Sequence, residues 1–275
     1  MTKKLKDKND MSFLDHIEEL RWHLVRSTIA VFSFGIIAFL MKDFIFNTIL
    51  FAPKDPNFIT YRLFCKASIF FGTEGLCIDE IPFTLQSLDM SEQFSVHIWA
   101  SITFGFIIAF PYIIYEVWKF ISPGLYLKEK SGAKAFIIIS SFLFFIGVLF
   151  GYYVITPLSV NFLGNYSISE TVETNIQIGS YISLVKTSIL AAGLIFELPI
   201  IIYFLTKMGL VTPQFLKTYR KHALVIVLIV SAIITPPDVI SQVIVAIPIL
   251  VLYEISIIIS KIVIKRQLKK EKQNA

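Results

Sequence analysis

The sequence predicts an all-α, polytopic membrane protein with six transmembrane helices and both ends in the cytoplasm. Three observations support this fold class. First, 55% of the 275 residues are hydrophobic and the mean hydropathy is +0.72, whereas soluble domains are about 45–50% apolar. Second, the apolar residues are concentrated in long runs, which is typical of membrane spans. Third, lysine and arginine are concentrated in alternate segments between those runs, as expected when cationic loops stay in the cytoplasm.

The six apolar runs are the expected spans. They cover residues 24–41, 94–117, 135–155, 181–205, 223–235 and 239–260. The fifth run is short because Lys221 precedes it and Pro236 follows it. A helix of about 13 residues reaches about 20 Å, against about 30 Å of hydrocarbon. This span is expected to cross only where the bilayer thins or where protein shields its ends.

The distribution of cationic residues predicts the orientation. Twenty lysines and arginines lie in the N-terminal segment, in the loops after spans two and four, and in the tail, while four lie in the long loop 42–93. By the positive-inside rule, both ends are cytoplasmic and the loop 42–93 is outside. The chain is therefore divided into a cytoplasmic segment 1–23 with an amphipathic helix, a transmembrane domain 24–260 and a basic cytoplasmic tail 261–275.

The N-terminal residues indicate in which membrane the protein is expected, and the net charge bears on the class of its partners. Residues 1–23 are polar, and no small-residue cleavage site follows the first apolar run, so we expect a retained span and not a cleaved signal peptide. The absence of an arginine- and serine-rich transit segment favours a bacterial plasma membrane. The net charge of +5 is explained by orientation in the membrane. Nucleic-acid binding is not expected, because no aromatic and basic patch lies on a soluble module.

Residues 11–27, MSFLDHIEELRWHLVRS, predict an amphipathic helix that lies at the cytoplasmic interface and continues into the first span. Ser12 and Asp15 fit a capping box at its start. Helical spacing produces one apolar and one ionisable stripe. The stripes are Phe13, Ile17, Leu20 and Leu24, and His16, Glu19, His23 and Arg26. A plain surface helix with an i,i+4 pair between Glu19 and His23 explains the same pattern.

The cytoplasmic loop after span two contains a second motif, VWKFISPGLYLKEK, at residues 117–130. Its aromatic residues belong at a membrane interface. Pro123 and Gly124 predict a turn. Glu129 stands between two lysines, and a solvated charge run is an equally good interpretation of that stretch on its own.

Two more motifs place polar residues inside or beside later spans. In LIFELP, residues 194–199, Glu197 lies within a span, where a charge costs about 2.5–3.5 kcal/mol, so a cavity or a partner is expected. In ITPPDVISQ, residues 234–242, Asp238 is placed to cap the last helix. Gln242 is a candidate hydrogen-bond partner of Glu197.

The outer loop 42–93 holds both cysteines of the chain, Cys65 and Cys77. On the oxidising side of the membrane two cysteines can form a disulfide. Two unrelated reduced thiols are the alternative interpretation.

The four motifs, in this order and between these spans, resemble the twin-arginine translocase TatC family. The resemblance covers nearly the whole span pattern. It implies a receptor and core subunit that binds twin-arginine signal peptides and organises transport of folded proteins with the proton-motive force. It also implies single-span partners of the TatA and TatB types, homo-oligomers within a hetero-complex, and contact with membrane lipids.

The resemblance implies roles for particular residues. Glu19, Arg21, Phe120 and Glu129 match signal-peptide-binding positions, Glu197 and Gln242 match intramembrane polar positions for partner contact, and Pro53 and Asp238 match structural positions. Planar, permanently charged guanidinium groups suit carboxylates, so two glutamates could hold one arginine each. Two departures from the family pattern are His23, where a second basic residue is common, and the long outer loop with its cysteines.

Two other classes of protein are less consistent with the sequence. A proton-coupled secondary transporter would use Glu197 as its coupling acid, but no internal repeats or paired broken spans are evident. An intramembrane enzyme lacks support because the four histidines are scattered and no metal or serine–histidine motif occurs in the spans. No cofactor or metal is expected.

Overall fold

The structure is a computed structural model that describes residues 13–71, 81–121, 133–169, 174–235 and 238–274. The described chain is mainly helical, as expected. Its α-helices are α1 Phe13–Leu40, α2 Ile59–Phe71, α3 Glu92–Ile121, α4 Ala133–Phe150, α5 Thr156–Asn165, α6 Ile178–Ile195, α7 Leu198–Lys207, α8 Pro213–Thr218, α9 Arg220–Ile234 and α10 Val239–Asn274.

Five helical stretches of the described chain are long and apolar enough to cross a membrane. They are Ile17–Leu40, Glu92–Ile121, Lys134–Asn165, Ile178–Lys207 and Ser241–Lys269. These stretches contain the second, third and fourth expected spans and overlap almost all of the first and sixth, and each is longer than the span expected there. The fifth expected span lies in α9, a helix of 15 residues, which is too short to be counted with the others by length.

The long loop 42–93 contains more regular structure than its proline and glycine content predicts. It includes the π-helical segment Phe44–Leu50, the 3₁₀ turn Ala52–Lys54 and helix α2. Strand β1, Thr84–Gln86, pairs in parallel with β2, Asn175–Gln177, from the loop before α6. The all-α prediction therefore misses a small sheet, because three residues are too few to show a period-two pattern.

By their contacts the residues form two compact units, the described parts of Met1–Leu40 with Ser101–Ser141, and of Met41–Ala100 with Phe142–Ala275. In the first unit, α1 packs closely on α3. A Cβ atom on Gly105 would lie only 2.5 Å from the carbonyl oxygen of Val31 and 2.6 Å from the amide nitrogen of Gly35. Because glycine has no side chain, the backbones of α1 and α3 are in direct contact here, as in other small-residue helix contacts in membranes.

The second unit has an apolar core where α6, α9 and α10 meet. Its buried members are Ile155, Ala192, Val227, Val245, Ala246 and Ile249. The third long stretch changes from α4 to the π-helical segment Gly151–Ile155 and then to α5. A Cβ on Gly151 would lie 2.6 Å from the carbonyl oxygen of Ser188, so this segment also lies directly on the backbone of α6.

Prolines leave buried carbonyls without their usual helical donors in the second unit, and hydroxyl groups replace those donors. Pro53 has no N–H to donate to Ile49 four residues earlier. The Tyr152 hydroxyl donates to the Ile49 carbonyl instead, at 2.7 Å. The next carbonyl, that of Leu50, accepts from the Tyr181 hydroxyl at 2.9 Å.

A hydroxyl group also takes the place of a helical donor near Pro157, which has no N–H to donate to the carbonyl of Tyr153. The hydroxyl of Thr60 donates to the Tyr153 carbonyl at 2.6 Å. Tyr61, the next residue of α2, is buried and donates to the carbonyls of Pro53 at 2.8 Å and Pro157 at 3.1 Å. Burial raises the pKa of the Tyr61 hydroxyl, which keeps it protonated as a donor. These bonds attach α2 and the segment from Phe44 to Lys54 to the rest of the second unit.

The fourth long stretch is interrupted between α6 and α7. Its break falls at Phe196 and Glu197, and Pro199 stands in the first turn of α7, where its missing N–H costs nothing. Helix α10 packs along α7, and the buried hydroxyl of Thr206 donates to that of Ser260 at 2.9 Å. Such a bond between helices suits an environment without water.

Candidate functional site

A polar cavity of about 390 Å³ lies in the first unit. Four of its lining residues come from α1 and one from α3. They are Glu19, Trp22, His23, Arg26 and Lys119. Residues three, four and seven apart share one face of a helix, so the ionisable stripe predicted for α1 becomes one wall of this cavity.

Glu19 is the acid that the sequence singled out, and it lines this cavity. Its side chain is half-buried, and its Oε2 atom is buried without a hydrogen-bond partner among the residues that the structure describes. A buried carboxylate oxygen that lacks a donor is costly. Glu19 is therefore prepared to accept a hydrogen bond from an incoming cation.

The other residues predicted for the same role are placed differently. Arg21 is exposed on α1. Phe120 is half-buried near the end of α3, and its ring makes an edge contact with the ring of His23 at 6.2 Å between centroids. Glu129 lies outside the described residues, so its place relative to Glu19 stays a prediction.

Glu116 is the central residue of this region, and the sequence reasoning missed it. It is only 1% exposed. Its Oε2 atom lies 2.5 Å from Nδ1 of His23 and 3.8 Å from Nη1 of Arg26, and its Oε1 atom lies 3.8 Å from Nζ of Lys119. The signal that could have found it is the one that singled out Glu197, an acid within an apolar run.

The Glu116 contact also corrects the plain surface-helix interpretation of α1. That interpretation paired Glu19 with His23 one turn along the helix. Instead, His23 is buried and its ring nitrogen is bonded to Glu116 on α3. A long-range buried bond of this kind competes well with an i,i+4 contact worth only about 0.2–0.5 kcal/mol.

The polar residues of the second unit form a separate group. Glu197 is 7% exposed and lies at the break before α7, without a capping bond from its side chain to that helix. Gln242 donates from Nε2 to the carbonyl of Leu228 on α9, at 2.9 Å. This bond uses one of the two N–H donors of the Gln242 amide, so the pairing of Gln242 with Glu197 stays a prediction.

Asp238 caps α10, as expected. Its Oδ2 atom accepts from the amide of Ser241 at 2.8 Å, which supplies one of the acceptors that a helix start lacks. Pro53 is buried in the turn after the first span. Cys65 in α2 is disulfide-bonded, while Cys77 lies outside the described residues, so the pairing stays a prediction.

Metal chemistry has no support in the described chain. Within those residues, no group of three or more histidine, cysteine, aspartate or glutamate side chains could hold a metal ion.

The comparisons with known proteins agree on one family. The model of the family "Sec-independent protein translocase protein (TatC)" matches residues 15–248. The TatC protein of Blattabacterium sp. subsp. Periplaneta americana is 42% identical over 95% of this chain and 99% of its own length. The TatC protein of Aquifex aeolicus is 36% identical over 96% of this chain and 100% of its own length.

Solved structures show the same fold. A crystal structure of the twin-arginine translocase receptor TatC in DDM superposes with a TM-score of 0.69 and 35% identity, covering 89% of this chain and 99% of that one. A second crystal structure of a TatC receptor gives 0.66 and 34%, covering 90% and 99%. The fold and the polar clusters thus define a polytopic helical protein of a membrane transport system. The chain belongs to the TatC family of Sec-independent protein translocase proteins, which transport proteins and are not enzymes.

Proposed function

We propose that this chain is the receptor and core subunit of a twin-arginine translocation system in a bacterial plasma membrane. It binds twin-arginine signal peptides and organises transport of folded proteins, driven by the proton-motive force. The observation that carries the proposal is Glu19, whose buried Oε2 atom lacks a hydrogen-bond partner in the described chain and lines an open cavity. Family membership and the similarity to solved TatC receptors support it.

The chemistry of the proposed site follows from the ligand. An arginine side chain offers a planar fork of N–H donors that is always charged. A carboxylate at a membrane surface, where the dielectric constant is lower than in bulk water, attracts such a group more strongly than it would in solution. Glu19 would hold one guanidinium group and Glu129 the other, with Arg21 and Phe120 at the margins of the site.

The topology belongs to the same proposal. α9, which holds the fifth expected span, is a short crossing of 15 residues or about 22 Å. Together with the five long helical stretches it brings the number of crossings to six. Both termini then face the cytoplasm, on the side where lysine and arginine are concentrated. A reporter active only in the cytoplasm, fused in turn to each terminus, should be active at both ends. Activity at only one end would contradict an even number of crossings.

The proposed partners are single-span proteins of the TatA and TatB types, with further copies of this chain in the complex. Glu197 and Gln242 are the proposed intramembrane contact residues. Glu197 is suited to this role because it is a buried acid at a helix break within an expected span.

The experiment that tests receptor function is binding of a twin-arginine signal peptide to the full-length protein in detergent or nanodiscs. Glu19→Gln should weaken binding roughly 10- to 100-fold, since a hydrogen bond to a charged group is worth about 1.5–3 kcal/mol. The matched control is Glu18→Gln, the exposed neighbour on the same helix, which should bind normally. Equal affinities of the two variants, or equal binding of a twin-lysine peptide, would refute the proposed site.

A further inference from the structure

We propose that Glu116 is a positioning residue that keeps the cations of the cavity engaged, so that the Glu19 carboxylate stays available for the signal-peptide arginine. The inference rests on the proposed function of Glu19 and adds a regulator of that same site. Glu116 does not contact the ligand in this account. It acts through His23, Arg26 and Lys119.

The geometry supports this role because one buried carboxylate serves three cationic or potentially cationic groups. Both oxygens of Glu116 are used, Oε2 by His23 and Arg26 and Oε1 by Lys119. Glu116 is nearly inaccessible, whereas the side chains of Arg26 and Lys119 are 51% and 43% exposed. The acid is therefore the enclosed partner, and the two long cationic side chains are the partners that remain accessible.

The same three residues line the cavity together with Glu19. Without Glu116, the nearest acid for Arg26 and Lys119 in the described part of the cavity would be Glu19. An internal cation on Glu19 would satisfy its Oε2 atom and compete with an incoming guanidinium group. Because Glu116 neutralises Arg26 and Lys119, these cations do not pair with Glu19. The site therefore discriminates against its own cations and stays open to the peptide arginine.

Lys119 and His23 each make one further contact, with an aromatic ring of α3. Nζ of Lys119 lies over the ring of Tyr115, 4.3 Å from its centroid, a favourable position for an ammonium group. The ring of His23 lies edge-on to Phe120. The side of the cavity formed by α3 therefore restrains the positive groups, while α1 presents the open carboxylate.

The test uses the full-length protein and a twin-arginine signal peptide. Glu116→Gln should weaken peptide binding roughly three- to fivefold, the strength of a partly exposed ion pair on Glu19. Adding Arg26→Gln and Lys119→Gln to Glu116→Gln should restore the affinity, because the competing cations are gone. Glu116→Asp keeps the charge and should bind more tightly than Glu116→Gln.

The restoration separates positioning from a merely structural role. If Glu116 only supported the packing of α1 on α3, removing two more charged groups would not restore binding. Unchanged binding in Glu116→Gln, or a loss that the triple variant does not recover, would overturn the inference. If Glu116→Gln does not fold, peptide binding to the Arg26→Gln single variant is the deciding measurement. It should bind at least as tightly as the parent, and weaker binding would overturn the inference.

The Glu19→Gln variant distinguishes this inference from the proposed function. If Glu19→Gln binds the peptide normally, the receptor site itself is wrong. If Glu19→Gln binds weakly while Glu116→Gln binds normally, only the role of Glu116 is wrong.

Discussion

Gly105 on α3 lies against Gly35 on α1, so closely that a Cβ atom on Gly105 would be 2.6 Å from the amide nitrogen of Gly35 and 2.8 Å from its Cα atom. The contact is asymmetric. A Cβ on Gly35 would meet nothing nearer than 3.5 Å, which is an ordinary van der Waals distance. The two glycines of one contact therefore have different tolerances to a methyl group.

This asymmetry gives the first prediction. Gly105→Ala should destabilise the protein by about 1–3 kcal/mol, because backbone atoms must move to admit the methyl group. Gly35→Ala should be neutral or stabilising, since alanine is favoured over glycine in a helix by about 1 kcal/mol. Thermal unfolding of both variants in the same detergent measures the difference. Equal melting temperatures would mean that α1 and α3 are not in direct backbone contact.

Tyr61→Phe should destabilise the protein by about 1–3 kcal/mol, because two buried carbonyls lose their shared donor. The lost bonds run to Pro53 and Pro157. Tyr166→Phe is the matched control, since Tyr166 is 63% exposed. The measurement is again thermal unfolding. A Tyr61→Phe variant as stable as the control would show that water replaces the hydroxyl.

Asp238→Ala should lower stability by about 0.5–2 kcal/mol, the usual effect of losing an N-cap. The reason is the bond from the Ser241 amide to the Asp238 carboxylate at the start of α10. Asp238→Asn should be close to the parent, because its side-chain oxygen can accept the same bond. If both substitutions had the same effect, the charge and not the cap would be the cause.

Glu197→Ala should weaken co-purification of the single-span partners by roughly five- to thirtyfold, in line with bonds between membrane helices of about 1–2 kcal/mol. Signal-peptide binding should be retained, because Glu197 lies in a different unit from Glu19. Glu254→Gln is a suitable control, as an exposed acid on α10 that pairs with Arg220. Normal partner recovery with Glu197→Ala would remove Glu197 from the proposed contact.

The cysteines give a prediction about covalent structure. Cys65 is disulfide-bonded, and Cys77 is the other cysteine of the chain. In purified, unfolded protein neither thiol should react with a maleimide before reduction, and two maleimides should add after reduction. Mass spectrometry measures both states. Labelling of both thiols without reductant would contradict the expected bond.

Much of the helical framework was predictable from hydropathy, because a span must satisfy its backbone internally and stay apolar for many residues. The N-cap at Asp238 was predictable for a similarly local reason. α2 was not predicted, since its prolines and glycines lie on either side of a mixed-composition helix. The strands were missed because each gains its partner only in three dimensions.

The candidate site was only partly predictable. Glu19, on the ionisable stripe predicted for α1, lines the cavity, while its role in signal-peptide binding stays a prediction. Helical spacing could not indicate that His23 would bond to Glu116 on another helix rather than to Glu19. The bond from Gln242 to the Leu228 carbonyl was not predicted for the same reason, because hydrogen-bond partners across a hairpin depend on the register of the two helices.

The hydroxyl groups of Tyr152 and Tyr181 also constrain when the protein can finish folding. The Ile49 and Leu50 carbonyls receive their donors from residues 103 and 131 positions later in the chain. At a synthesis rate of about 5–20 residues per second, Tyr181 emerges roughly 7–26 seconds after Leu50. Until then these carbonyls need water or the insertion machinery as partners. The segment that follows the first span is therefore among the last parts to lose its water, although it is among the first to be made.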